Sequence, residues 1–524
     1  MSAPVPTASP GPSKRPRKVP RTPTAGTHGE RKDSNGEHGF KMVDVTRISK
    51  ENRVAMIDYA SNAYLKKNLG RWYLPATILL ALTCLISGCG SSVNNGGTSG
   101  PGTPPSGFTQ AASTEQWTAQ FGTGSGDIAE DVATDPSGNL LVAGITLGAF
   151  PGFSNPNSAT EDFVAKYDAS GKQMWLKQFG TGSTNGDSMN AITVDAQGNI
   201  LLGGSTSGAY PGYTNPTGAT EAVVFKLDAN GNRIWVQQFA AGAGEIINAL
   251  AIAPDGSIAA VGAQSVQWQQ VSVGMGGTQS EITSEVGLIA KLDGNSGNIL
   301  WQHTLPQYAL ATLGAVAVDS QGNIYAAGNT FTSYNAPPVP LLLQYFPVGA
   351  AGWVQQLQST SYASGVYLSG VAVGATGDPV VVGCPVENAV SPAPGCLLAE
   401  YASGTGQQVW LTPFATSAAF QIGSGGIAVD PSGNILITGY TQQPLLPTFT
   451  LQDDVYIAKF QGTGQNIWAQ QFNDQAKSDH GSIGGPSLTV DGQGNGYIGD
   501  NTFMQPSPPG GTSFSEPLLA KFGP

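Results

Sequence analysis

The sequence predicts an all-β protein, a seven-bladed β-propeller of four-stranded antiparallel blades. Three observations predict it. A Trp-bearing segment recurs seven times: WTAQF at 117, WLKQF at 175, WVQQF at 235, WQHTL at 301, WVQQL at 353, WLTPF at 410 and WAQQF at 468. A Gly-centred turn recurs as a second mark: DPSGN at 135, DAQGN at 195, PDGS at 254, DSQGN at 319, ATGD at 375, DPSGN at 430 and DGQGN at 491. The Trp spacing of 52 to 66 residues suits units of four short strands. The third observation is the last phrase, EPLLAKFGP at 516–524. It echoes EDFVAKY and EAVVFKL, yet no Trp segment follows it.

Charge divides the chain before the repeats begin. Residues 1–89 carry 14 Lys/Arg against 6 Asp/Glu, and residues 90–524 carry 9 against 29. So acidic a body excludes nucleic acid as a partner, because phosphate recognition rests on Lys and Arg. It also excludes a basic membrane-binding face. Residues 1–65 have no apolar periodicity and are expected to be a disordered basic tail. Residues 66–89 follow as a signal segment. Lys66, Lys67 and Arg71 precede an apolar run of about 15 residues, shorter than the roughly 20 of a spanning helix.

The run ends in Ile86-Ser87-Gly88-Cys89, which resembles the bacterial lipobox. The resemblance implies cleavage before Cys89, lipid attachment there, and a membrane tether through the flexible linker 90–114. Gly90 is compatible, by the same analogy, with outer-membrane sorting. The rival is an uncleaved anchor with a basic cytoplasmic tail. Because a signal ordinarily stands first, translation is expected to start nearer Met42 or Met56.

The propeller is expected over 115–524. In its first unit EDVATD enters the Gly138-Asn139 turn and LLVAGIT returns, a hairpin in which Gly supplies the positive φ. After a long loop, DFVAKYD enters the Gly171-Lys172 turn and QMWLKQF returns. Strands such as LLVAGIT and ILITGY are apolar on both faces, as sheets packed face to face require. The last unit supplies three strands, and QWTAQF near Trp117 has no partner of its own. Pairing it with PLLAKF completes the seventh blade and closes the ring, which removes the exposed ladder edges of an open array. Each repeat Trp is expected to fill the gap between adjacent blades.

The stretch DFVAKYDASGKQMWLKQFGTGSTNGDSMNAITVDAQGNILLGGST resembles the bacterial SBBP-type beta-propeller repeat. The resemblance spans about 117–524 and weakens in units 4 and 5, where the Lys of AKYD is replaced by Gln344 and Glu400. It implies an envelope or secreted protein and carries no general activity. A secondary resemblance, in IAKLDGNSGNILW and AKFQGTGQNIW, is to PQQ-type propeller repeats. That group includes quinone dehydrogenases and a lipoprotein of outer-membrane protein assembly.

Chemistry is sparse. His303 and His480 stand alone, and no zinc, haem, P-loop or nucleophile-elbow pattern is present. No cofactor is expected, with one candidate exception. Asp127, Asp187, Glu245 and Asp479 recur where inner strands begin, and could hold Ca²⁺ at the mouth of a central channel. The alternative is that they cap turns. Phe150, Phe153, Tyr210 and Tyr213, in GAFPGFSNPNSATE and GAYPGYTNPTGATE, could form an aromatic ligand rim. The alternative is that they fold each loop onto its own blade. Cys384 and Cys396 flank an 11-residue Pro-rich loop. A disulfide is expected there if the chain is exported; otherwise they are two buried thiols. Lys166, Lys226, Lys291, Lys459 and Lys521 share one repeat position, which points to an architectural ion pair with the Asp that opens the first turn.

These readings converge on a lipid-anchored protein of the bacterial cell envelope, at the outer membrane or cell surface. It is expected to act as a binding scaffold for an envelope protein or glycan. The runner-up is an extracytoplasmic polysaccharide hydrolase or lyase. A third reading, outer-membrane protein assembly, rests on analogy.

Overall fold

The computed structural model describes residues 115–524, except 185, 240–243, 274–276, 309, 333–335, 358–364, 386–395, 415–421, 442–453, 473–485 and 505–513. The expected tail, signal segment and linker, Cys89 included, lie outside the described residues.

Among the described residues the regular structure is all strand. β1 (Glu115–Gln120) comes first. Unit 1 follows as β2 (Asp127–Thr134), β3 (Leu140–Thr146), β4 (Glu161–Tyr167) and β5 (Gln173–Phe179). Unit 2 is β6 (Asp187–Val194), β7 (Ile200–Thr206), β8 (Glu221–Leu227) and β9 (Arg233–Gln238). Unit 3 is β10 (Ile246–Ile252), β11 (Ile258–Val273), β12 (Gly277–Leu292) and β13 (Ile299–Thr304). Unit 4 is β14 (Leu310–Val318), β15 (Ile324–Phe331), β16 (Val339–Tyr345) and β17 (Ala351–Gln356). Unit 5 is β18 (Val366–Val373), β19 (Pro379–Pro385), β20 (Cys396–Tyr401) and β21 (Gln408–Phe414). Unit 6 is β22 (Ile422–Val429), β23 (Ile435–Thr441), β24 (Asp454–Phe460) and β25 (Asn466–Phe472). The last strands are β26 (Ser487–Val490), β27 (Gly496–Met504) and β28 (Phe514–Phe522).

These strands form six hydrogen-bonded sheets rather than the seven separate ones expected: five of four strands and one of eight. Units 3 and 4, in which β11 and β12 run to 16 residues each, merge through one residue pair. The length of β12 brings Glu285 to a single parallel pairing with Leu310 at the start of β14. All other ladders are antiparallel.

β1 pairs with β28, with Thr118 opposite Ala520 and Gln120 opposite Leu518. One side chain shows that β1 does the work of a fourth strand. In unit 1 Gln178 Nε2 donates to Glu161 Oε2 at 2.8 Å, and in unit 2 Gln238 does the same to Glu221 at 2.6 Å. Gln120 makes the matching bond to Glu516 at 3.0 Å, across nearly the whole chain. Between units, β2 lies against β6, β6 against β10, β10 against β14, β14 against β18, β18 against β22, β22 against β26, and β26 against β2.

Two repeated devices hold neighbouring units together, and a third shapes the sheet within a unit. Six of the seven repeat Trp residues pack on the Gly of the next unit's outer turn, as in Trp117 on Gly171, Trp235 on Gly297 and Trp353 on Gly406. A Cβ on those glycines would stand 2.7, 2.8 and 2.6 Å from the indole. Trp117 and Trp353 also donate Nε1–H to the Ala169 and Ser403 carbonyls, at 3.0 and 2.8 Å. Four of the five repeat Lys residues pair with the first-turn Asp of their own unit: Lys166–Asp135 at 2.8 Å, Lys226–Asp195 at 3.0 Å, Lys291–Asp255 at 3.1 Å and Lys459–Asp430 at 2.8 Å. Lys521 departs from the expected ion pair, because the Tyr497 hydroxyl donates to Asp491; its ammonium lies over the Tyr497 ring and donates to the Ala169 carbonyl at 3.3 Å. In units 1 to 3 the same ammonium group reaches the next unit, as from Lys226 to the Gly294 carbonyl at 2.9 Å.

The third device is a bulge in the first strand of units 1 to 5, at Glu130, Asn190, Asn248, Gly314 and Ser369. It presses a backbone carbonyl onto the second strand. Gly144, Gly204, Gly262 and Gly328 face it, and a Cβ there would lie 1.9 to 2.0 Å from the oxygen. The Gly of the AGIT-type phrase is therefore steric.

Candidate functional site

The acids expected at strand starts are present and buried: Asp127 is 0%, Asp187 3% and Glu245 1% exposed. They are not gathered into a metal site. Asp127 accepts from the Thr123 hydroxyl at 3.0 Å and from Thr146. Asp187 accepts from the Thr181 backbone at 2.6 Å and from Thr206. Each carboxylate therefore staples the loop leading into its strand, because threonines on both sides turn it into its own sheet. Gln264 donates to Glu245 at 3.4 Å. Asp479 lies outside the described residues. Among the described residues, no three His, Cys, Asp or Glu come together as a metal site.

The aromatic rim is corrected in part. Phe150 and Tyr210 are each 4% exposed and do not stand on a rim. Phe150 packs edge-on to Phe163 with centroids 5.5 Å apart, and Tyr210 to Phe225 at 4.9 Å. Their loops fold down because Gln178 and Gln238 accept the Phe150 and Tyr210 backbone N–H groups, at 2.9 and 3.1 Å.

Phe153 and Tyr213 differ by one hydroxyl. Tyr213 donates to the Val236 carbonyl at 3.1 Å and is half-buried. Phe153 has no such anchor and is 37% exposed. Beside it opens a pocket of 370 Å³ walled by Phe121, Phe150, Pro151, Phe153 and Leu176, with Gln173 as its polar side chain.

Sequence reasoning missed three acids that depart from the repeat. Glu130 stands where units 2 and 3 have Asn190 and Asn248, whose amides donate to the Ile247 and Leu313 carbonyls of the next unit, at 2.9 and 3.0 Å. Burial, and then the neighbouring Asp131, push the Glu130 carboxyl up to about 8. Burial pushes Asp131 up to about 7, against the N–H groups of Ile192 and Val132 that donate to it at 2.9 and 2.8 Å. Both keep some exposed surface, so protein surrounds them without sealing them off. Asp162, where unit 2 has Ala222, is 0% exposed. Burial and the nearby Asp187 hold it well above the usual carboxylate range, and Tyr210 donates to its Oδ2 at 3.4 Å. The signal available in the sequence was the departure itself.

The Glu130 shift makes a prediction. The folded protein holds this proton up to about pH 8, and the unfolded chain only to about pH 4.5. The stability it contributes is fully present below the lower value and is lost as pH rises through the upper one. Glu130→Gln is expected to flatten the fall in melting temperature between about pH 4.5 and about pH 8, and to melt above wild type beyond about pH 8. Superimposable melting-versus-pH curves for the two proteins would contradict the assignment.

Cys384 and Cys396 are joined by a disulfide across β19 and β20. The Pro-rich loop it spans lies mostly outside the described residues.

Four-stranded antiparallel sheets, joined unit to unit by Trp–Gly contacts, define a β-propeller-type protein. The chain carries SBBP-type beta-propeller repeats, and that family model matches residues 116–151 and 422–445. No curated protein matches the chain. Similar solved structures include BamB from Moraxella catarrhalis, at 13% identity and a TM-score of 0.35, covering 78% of this chain and 100% of that one. A protein of unknown function from Dyadobacter fermentans is similar at 12% identity and a TM-score of 0.42, covering 78% and 99%.

Proposed function

We propose that the protein is a lipid-anchored envelope propeller, a closed ring of seven blades that serves as a binding platform for a protein or glycan. The circular order of contacts among the first strands supports closure, as does the Gln120–Glu516 bond. On this reading the eight-stranded sheet is two blades bridged by one residue pair. Attachment through Cys89 rests on the lipobox resemblance. The Cys384–Cys396 disulfide supports an oxidising, extracytoplasmic setting.

The observation that carries the binding role is the open aromatic pocket beside Phe153. Its volume suits one sugar ring or one side chain, and its walls offer ring faces for stacking. Phe153→Ala is expected to weaken binding of purified envelope polysaccharide or of the partner protein by about tenfold or more, with little change in melting. Calorimetric titration checks this, and equal affinity in both proteins would reject the pocket.

A second reading, polysaccharide cleavage, draws support from Glu130. A carboxyl that stays protonated near neutrality meets one requirement of a general acid. If it is one, Glu130→Gln abolishes release of reducing ends from envelope polysaccharide. Undiminished release would remove Glu130 from that role.

A further inference from the structure

The repeat Lys marks a place built to hold an ammonium group. In units 1 to 3 its Nζ lies between two acceptors. One is the first-turn carboxylate of its own unit. The other is a carbonyl of the next unit's outer turn: Ala229 at 3.4 Å from Lys166, Gly294 at 2.9 Å from Lys226 and Pro347 at 3.2 Å from Lys291.

Unit 4 keeps both acceptors and lacks the lysine. The carboxylate is Asp319 and the turn carbonyl is that of Ser403. The residue between them is Gln344, which is shorter and uncharged. Its amide donates to the Ser403 carbonyl at 2.9 Å, and the Tyr325 hydroxyl donates to Asp319 Oδ2 at 3.0 Å. Neutral donors thus cover the acceptors without supplying a positive charge. Across the gap, unit 5 has Gly374 where units 1, 2, 4 and 6 have the first-turn Asp, so its wall recedes.

What remains is a cleft of 590 Å³ between the two units. Asp319 is the one charged residue of its lining. Gln321, Asn323, Gln344, Thr376 and Ser403 supply polar atoms, and Phe346, 42% exposed, supplies an aromatic face. Behind Thr376 stands a further acid. Glu400 occupies the lysine position of unit 5 and accepts from the Thr376 hydroxyl at 2.9 Å.

We infer that this cleft binds an external primary alkylammonium group, drawn by the uncompensated charge of Asp319 and held at the mouth of the seat that sibling units fill with their own lysine. Asp319 provides the charge, the polar lining provides acceptors, and Phe346 flanks the aliphatic stem. The ammonium is carried either by a free polyamine or by a lysine side chain of a partner.

Titration of the purified protein with cadaverine, and with a short lysine peptide and its Nε-acetylated form, tests the inference. Wild type is expected to bind cadaverine or the lysine peptide, more weakly as salt rises, and to ignore the acetylated peptide. Tighter binding of the peptide points to a protein partner, and tighter binding of cadaverine to a polyamine; either result supports the site. Gln344→Lys restores the sibling arrangement, so it is expected to fold, to melt no lower than wild type, and to lose about tenfold or more in affinity. Asp319→Asn provides a second variant with the same expected loss. Absence of binding at millimolar amine, equal binding by Gln344→Lys, or equal binding of the acetylated peptide would overturn the inference.

Discussion

Deleting residues 115–122 is expected to lower the melting temperature by about 10 °C or more and to drive association of the protein. The deletion removes the whole of β1 and with it the partner of β28. It strips Trp117 from Gly171, cuts the Gln120–Glu516 bond, and takes Phe121 from its contacts with Phe163 and Tyr167, both at 5.6 Å. Losing one packed aromatic alone costs about 3–5 kcal/mol. The bare β28 is then an unpaired edge, a template for pairing with a second copy. Scanning calorimetry with size-exclusion chromatography checks both effects. A monomer with unchanged melting would show that the ends do not hold the structure together.

Gly144→Ala is expected to destabilise the fold by about 3–5 kcal/mol, although it adds a single methyl group. The new Cβ would lie 1.9 Å from the Ile128 oxygen, a backbone atom that cannot rotate away. Relief requires the bulge in β2 to move, and the bulge also carries Glu130. Gly152→Ala is the control: its φ is +88° and nothing lies within 4 Å, so the cost is backbone strain of about 1 kcal/mol. Denaturant unfolding of the two variants separates these causes. Equal effects would mean that the bulge yields easily.

Much of this architecture was legible because the repeat states each device several times. The Trp positions predicted contacts between units, and the Lys positions predicted four ion pairs that the structure contains, with Lys521 the exception. The orphaned phrase at the end of the chain predicted the β1–β28 ladder. The fusion of units 3 and 4 was visible only as the long interval before Trp301, because a pairing made by one residue leaves no pattern.

Function was less legible, since its residues are those that break the repeat. The acids of DIAEDVATD follow no period-2 alternation, and one strand's sequence cannot reveal the neighbours that desolvate Glu130 and Asp131. The sequence of GAFPGF did not tell a rim from a folded loop. Gln178, far along the chain, decides that by binding the Phe150 backbone. The replacements at Gln344 and Glu400 were plain as substitutions. That the first leaves a cleft follows only from the facing turn of unit 5.

The proposed platform is anchored to the membrane and binds through the pocket beside Phe153. A photoreactive side chain placed at Phe153 in intact cells tests it most directly, with Cys89→Ala as the unanchored control. The account predicts one dominant envelope adduct, membrane-bound protein, and loss of both in the control. A membrane-bound protein that forms no adduct, or a Cys89→Ala variant with unchanged location and adduct, would contradict it.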